Sequence, residues 1–199
     1  MESFLAIIGF VAVAAITPGP NNFVVLGTAS RGGFAATLPA ITGVVTGSLG
    51  LLCVVSAGAG IAFSAEPRLR TALMVAGCLY LAWLGASLVW RSGGAAHKVQ
   101  HSNPALPSGV VGLAVFQFLN PKSWLLVMTA TAAVPAGLSW QASLSALALI
   151  FVVVTCACLT LWASAGAALA GLLKHPRPRR WYDRAMGVTL IASAAVLVL

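Results

Sequence analysis

Charged side chains are absent from the chain over long intervals. Residues 32 to 65, 71 to 90, 99 to 121, 123 to 173 and 185 to 199 contain no Asp, Glu, Lys or Arg. A helix needs about 20 mostly apolar residues to cross a bilayer, and these intervals are long enough, or nearly so, to supply such helices. Breaks at charges and at clusters of Pro, Gly and Ser divide them into six expected spans, near 4 to 28, 38 to 62, 70 to 90, 109 to 133, 141 to 171 and 183 to 199. The interval from 123 to 173 is 51 residues, too long for one helix, and Pro135-Ala136-Gly137-Leu138-Ser139 supplies the turn that divides it. The pattern predicts an all-α, polytopic membrane protein.

Composition removes the alternatives. Of the 199 residues, 60% are hydrophobic and 7% charged, against roughly 45–50% and about 25% in soluble domains, which excludes an ordinary water-soluble enzyme. The net charge of +8 would suggest a nucleic-acid partner in a soluble chain, but here the basic residues lie mostly between apolar blocks and act as a topology signal. Arg31, Arg91, Lys98, Lys174, Arg177, Arg179, Arg180 and Arg184 fall on one side of the expected spans, and only Arg68 and Arg70 on the other. The positive-inside bias then places both termini outside the cytoplasm. The stretch 174 to 184 combines five of these basic residues with Trp181 and Tyr182, as expected of a loop that meets anionic lipid headgroups.

Smaller signals change the picture less. Met1 to Ser3 lacks a basic region, so the first apolar segment is expected to stay in the mature protein rather than be cleaved as a signal peptide. Cys53, Cys78, Cys156 and Cys158 fall inside apolar blocks without nearby His, Asp or Glu, and read as core thiols. His97 and His101 are four apart, but Gly93, Gly94 and Pro104 argue against the helix a shared metal would need. Gly43-x-x-x-Gly47 and Gly166-x-x-x-Ala170 permit close helix approach, within one chain or between two copies in a homodimer, and the first is the simpler reading. Tyr80 and Trp83 read as packing residues. No nucleotide loop, zinc-protease motif or nucleophile elbow is present, so neither enzyme nor cofactor is expected.

Residues 92 to 107 are polar and rich in Gly, Ser and Pro, and are expected to be a cytoplasmic linker between two three-helix halves, 1 to 91 and 108 to 199. An odd number of spans per half gives the halves inverted topology. The first span of each half is interrupted, by Thr17-Pro18-Gly19-Pro20-Asn21-Asn22 and by Gln117-Phe118-Leu119-Asn120-Pro121-Lys122. Proline removes a backbone donor and clashes with the preceding turn, so both helices should break or kink. Lipid cannot satisfy the freed carbonyls, and corresponding interruptions in inverted halves point to a transport site near the midplane.

Lys122 is the sharpest single feature. It stands about 14 residues, roughly 21 Å at helical rise, into the expected fourth span. A lysine at the bilayer centre costs about 2.5–3.5 kcal/mol on insertion scales, and needs a partner or a watery cavity. The carboxylate side chains, Glu2, Glu66 and Asp183, all lie at or beyond span ends. Its expected partners are therefore backbone carbonyls of a broken helix, internal water, or the carboxylate of a bound solute. If 109 to 121 is instead a re-entrant segment, Lys122 marks the cytoplasmic interface.

These motifs resemble a known family. TPGPNN at 17 to 22, Arg31-Gly32-Gly33, Gly43-x-x-x-Gly47, the stretch Ala76 to Gly85 (AGCLYLAWLG) and Phe116 to Lys122 (FQFLNPK) are similar in order and spacing to the LysE/RhtB superfamily of bacterial amino-acid exporters. The likeness extends from the first span to the fifth. It implies an inner-membrane secondary transporter that exports amino acids or derivatives and uses the proton gradient. Among the branches, the chain looks most like exporters of small neutral solutes such as cysteine, O-acetylserine, homoserine or threonine. Many members carry an acidic residue after the second glycine of the second span, where this chain has Ser48. That departure weighs against a buried carboxylate as proton carrier and against a cationic substrate. The breaks and this position together define the expected substrate-binding set: Thr17, Pro18, Gly19, Pro20, Asn21, Asn22, Ser48, Gln117, Asn120, Pro121 and Lys122. The competing readings are an exporter of basic amino acids and a non-transporting membrane scaffold.

Overall fold

A computed structural model describes residues 2–59, 65–93 and 107–198. The regular elements among them are helices: α1 (Glu2–Ile16), α2 (Pro20–Gly32), α3 (Leu38–Val54), α4 (Pro67–Gly93), α5 (Gly109–Leu119), α6 (Pro121–Ala132), α7 (Trp140–Ala168) and α8 (Pro176–Val198). Local chemistry sets several ends. Pro20 and Pro121 stand at the first turns of α2 and α6, where a missing N–H costs nothing. Ser139 caps α7 by accepting from the Ala142 N–H at 3.2 Å. Gly137, with φ of 93°, makes the turn before it in a conformation other residues avoid.

Among the described residues, Ala35–Gly58 and Trp140–Ala168 are each long and apolar enough to cross a membrane. The pair α1 and α2, bent by 56°, and the pair α5 and α6, bent by 71°, bring the number to four if each bent pair is one span. The expected third span contains a shorter apolar helix, Met74–Trp90, and the expected sixth, as far as residue 198, falls within α8. The outward surfaces carry large apolar side chains such as Val13, Leu79, Val111, Leu149 and Leu161, as a lipid-facing bundle should.

Two expectations are corrected here. The loop expected over 174 to 184 is a 3-10 turn at Leu172–Lys174 followed by helix from Pro176. Proline starts that helix, and Arg179 pairs with Asp183 one turn on at 3.8 Å, so the polar stretch is helical. Cys53 is exposed on α3 rather than a core thiol, whereas Cys78 and Cys158 are buried. The expected linker falls mostly at 94–106, and His97 and His101 with it, outside the described residues.

The main packings join helices from before and after that segment: α4 lies along α8, α3 along α5, and α2 along α7. Between apolar helices in lipid, association relies on close contact rather than on expulsion of water, which favours small residues. A Cβ on Gly47 would come within 2.5 Å of the Ala114 carbonyl oxygen on α5. On α4 and α8 the relation is reciprocal, since a Cβ on either Gly85 or Gly187 would stand 2.5 Å from the carbonyl oxygen of the other. The Gly43-x-x-x-Gly47 stripe is thus spent on α5 of the same chain, and Gly166 likewise faces Leu26 of α2.

The interior has two apolar clusters. One joins α1, α3, α6 and α7 through residues such as Val11, Leu52, Val127 and Phe151. The other joins α2, α4, α5 and α8 to the remaining lengths of α3 and α7, with Val44, Leu81, Phe116 and Leu159 among its members. The helices α3 and α7 run through both.

Candidate functional site

At the first break the chain must dispose of the carbonyls that α1 no longer bonds. The Asn22 side chain turns back and donates from Nδ2 to the carbonyls of Ala15 and Thr17, both at 2.9 Å. Trp162 on α7 donates its indole N–H to the Ile16 carbonyl at 3.3 Å. Lys122 Nζ reaches from the other break to the Thr17 carbonyl at 3.1 Å and lies over Gly19. A broken-helix carbonyl is thus the partner found for Lys122, one of the three the charge inventory allowed.

The second break is closed mainly by its own residues. Asn120 caps α6 by accepting from the Lys122 backbone N–H at 3.1 Å. The Trp124 indole donates to the Phe118 carbonyl at 2.9 Å, and the Ser123 hydroxyl to Gln117 Oε1 at 2.8 Å.

The breaks are joined by a reciprocal amide pair. Asn21 Nδ2 donates to Gln117 Oε1 and Gln117 Nε2 donates to Asn21 Oδ1, both at 3.1 Å, across 96 residues of sequence. Around the pair lies a cavity of about 60 Å³ that touches both apolar clusters through Val127, Phe151 and Leu159. Eight polar side chains are buried among the described residues, and all but Thr37 and Ser92 line this cavity. The polar interior is concentrated at one place.

Some of the polar groups at the cavity are committed to partners and others are available. Both ends of the Asn21 and Gln117 amides are occupied. Asn22 has spent its amino group, and Asn120 its oxygen. Among the described residues, the Asn22 Oδ1, the Asn120 Nδ2 and the hydroxyls of Ser48 and Thr155 make no hydrogen bond, and all four residues line the cavity. Lys122 lines it too, with one carbonyl contact for three donors.

Of the expected set, Gly19, Pro20, Asn21, Asn22, Ser48, Gln117, Asn120 and Lys122 line the cavity. Thr17, Pro18 and Pro121 do not. Thr17 contributes its carbonyl, while its hydroxyl bonds back to Val13 at 2.5 Å. Pro18 is exposed, and Pro121 is buried against Gly77 of α4. Sequence reasoning missed Thr155 and Ser123. A threonine in a long apolar helix normally hides its hydroxyl against its own backbone, so Thr155 carries no distinguishing signal until its neighbours are known.

A helical bundle with two broken helices meeting at a buried polar cavity is the class these observations define. Residues 12–199 match the family model described as LysE type translocator, and the chain belongs to that family. It is 32% identical over 124 residues to the Cysteine/O-acetylserine efflux protein of Salmonella choleraesuis (strain SC-B67), covering 61% of this chain and 60% of that protein. It is 34% identical over 124 residues, with the same shares, to the protein of that name from Salmonella typhi. With the one from Escherichia coli (strain K12) it shares 32% identity over 145 residues, 69% of this chain and 70% of the relative. No solved structure matches.

Proposed function

We propose that the chain exports a small, neutral, zwitterionic amino acid or derivative from the cytoplasm across the inner membrane. The observation that carries this reading is the inventory of unspent groups at the cavity. A cation at Lys122 and an amide donor at Asn120 suit a carboxylate, an oxygen acceptor at Asn22 suits an ammonium, and two hydroxyls remain for a side chain. The first turns of α2 and α6 also line the cavity, and helix N-termini favour negative charge. A cavity of about 60 Å³ suits a small solute. The names of the relatives, cysteine and O-acetylserine efflux, agree with that size and charge. A cationic solute would meet Lys122 and no carboxylate there, which weighs against the basic-amino-acid alternative.

In this reading each bent pair is one span, and α4 and α8 complete six spans in two inverted halves, 1–91 and 108–199, around the linker at 92–107. Packing supports it: the first bent pair lies against α7 and the second against α3, an exchange expected of related halves. Both termini face the periplasm, on the strength of the basic bias. The basic start of α8 meets anionic lipid. Transport is coupled to protons, with the carboxylate of the solute supplying the counter-charge that the chain withholds from Lys122. A homodimer has no such support, because the glycine stripes are used within the chain.

Uptake into inverted membrane vesicles tests the reading. Cysteine, O-acetylserine and serine should accumulate with an imposed proton gradient, and lysine should not. A scaffold gives no solute-dependent uptake at all, and a reporter fused after Leu199 that is active only in the cytoplasm refutes the orientation.

A further inference from the structure

The two unbroken helices that cross the cavity level share a pattern. On α3, Val44, Ser48 and Leu52 follow one another at four-residue spacing and so lie on one face. On α7 the same spacing gives Phe151, Thr155 and Leu159. The outer member of each trio belongs to an apolar cluster, and the middle member is the polar interruption between the two clusters. Ser48 and Thr155 are each 8% exposed, and both line the cavity.

Their hydroxyls differ from the other buried ones among the described residues, since Thr37, Ser92 and Ser123 all donate, to the Phe34 carbonyl, the Val89 carbonyl and Gln117 Oε1, at 2.6, 2.6 and 2.8 Å. Thr28, Thr46, Thr131 and Thr189 all donate to the carbonyl four residues back, at 2.8 Å. That bond is available in any helix and removes the cost of an unpaired hydroxyl in an apolar setting. Ser48 and Thr155 forgo it, and among the described residues neither bonds to another group. Neither hydroxyl oxygen is shut off from the cavity, and a solute that fills the space without pairing with them leaves them unsatisfied at a cost in free energy.

We propose that Ser48 and Thr155 are a specificity pair, one from each half, whose hydroxyls bond the polar end of the solute's side chain. The zwitterionic end is left to Lys122, Asn120 and Asn22. The inference rests on the reading of the cavity as an amino-acid site and goes beyond it by assigning the selection among solutes. The pair favours solutes carrying a hydroxyl, thiol or ester group over apolar ones of similar size. A site that bonds a solute hydroxyl discriminates strongly against the analogue lacking it, because the protein groups are then left unpaired. Steric selection in an apolar pocket gives far less.

Serine and alanine differ by that one hydroxyl. Dual-label uptake of the two into inverted vesicles containing the full chain gives a ratio that does not depend on how much protein each membrane holds. The unmutated protein should favour serine. Thr155→Val, which keeps the shape and removes the hydroxyl, should lower the serine-to-alanine ratio about tenfold, the scale of one lost hydrogen bond. Ser48→Ala should act in the same direction, and Thr155→Ser should restore most of the ratio. A ratio unchanged in both Thr155→Val and Ser48→Ala overturns the specificity pair while leaving the export reading in place. Should Thr155→Val fail to reach the membrane, the ratio in Ser48→Ala decides alone. No uptake of either solute by the unmutated protein overturns the export reading and the pair together.

Discussion

The two helix breaks solve the same problem by different means. The second, between α5 and α6, is closed by residues from 117 to 124: Asn120 caps the new helix, Trp124 covers Phe118, and Ser123 holds Gln117. The first, between α1 and α2, has Gly19 at its cap position and no side-chain cap. Asn22 covers two of its carbonyls, but Ile16 depends on Trp162 of α7, and Thr17 draws a second donor from Lys122. Two of the donors for the first break, Lys122 and Trp162, thus arrive from 105 and 146 residues away. A self-contained break is a fixed support, whereas a break held by remote groups changes when those groups find another partner. A solute carboxylate competing for Lys122 would release Thr17, linking occupancy of the cavity to the geometry of the first break.

The largest effect should come from cutting that link. Lys122→Met keeps the stem and removes the charge; export should fall by roughly tenfold to a hundredfold, the scale of a charge-assisted hydrogen bond at about 1.5–3 kcal/mol. Membrane levels, read by immunoblot, should stay near normal, because a half-buried cation is replaced by an apolar group. Lys122→Arg keeps charge in a planar, differently shaped group and should retain partial transport with a weaker dependence on pH. Wild-type export and an unchanged pH profile in the Met variant would make Lys122 an interfacial anchor.

Stability should separate the breaks next. Asn22→Ala leaves the Ala15 carbonyl without its side-chain donor and weakens the cover on Thr17, a loss of about 1–3 kcal/mol for a buried unsatisfied group. Asn120→Ala removes a helix cap worth about 1 kcal/mol. Thermal unfolding of the purified protein in detergent should therefore show the lower midpoint for Asn22→Ala. The opposite order would mean that the second break, not the first, carries the strain.

Much of this was legible because proline and amides stand out against apolar sequence. Pro18, Pro20 and Pro121 disclose the breaks, and for a lysine with no carboxylate nearby the carbonyls of a broken helix were one of three expected partners, the one Lys122 meets at Thr17. What stayed hidden depends on tertiary pairing. Nothing local to Asn21 indicates that Gln117, 96 residues away, takes both ends of its amide. Thr155 looks like any threonine in a membrane helix until its hydroxyl is found unbonded. A residue that breaks a helix need not face the space that the break creates: Pro20 lines the cavity, whereas Pro18 is exposed and Pro121 packs on Gly77. The basic run at 174 to 184 misled through its polarity, since charged residues at a proline-started helix end are compatible with helix.

The smallest expected effect is also the most direct test of the comparison, because each break uses one indole in the same way. Trp124 covers Phe118 from within the second break, and Trp162 covers Ile16 from α7. Replacing either by Phe keeps an aromatic ring and removes one N–H donor, so each should cost about 0.5–1.5 kcal/mol of stability. Trp162 also meets Phe23 edge to face, with centroids 6.0 Å apart, a contact that Phe at 162 can largely preserve. If the first break is the responsive one, the two variants differ in transport despite similar midpoints. Loss of the Ile16 bond loosens the carbonyl next to Thr17, so Trp162→Phe should raise KM for the solute severalfold in vesicle uptake. Trp124→Phe acts on a break that Asn120 and Ser123 still hold, and should move KM less. Equal shifts in KM would place both breaks on the same footing and remove the distinction between a fixed and a responsive half.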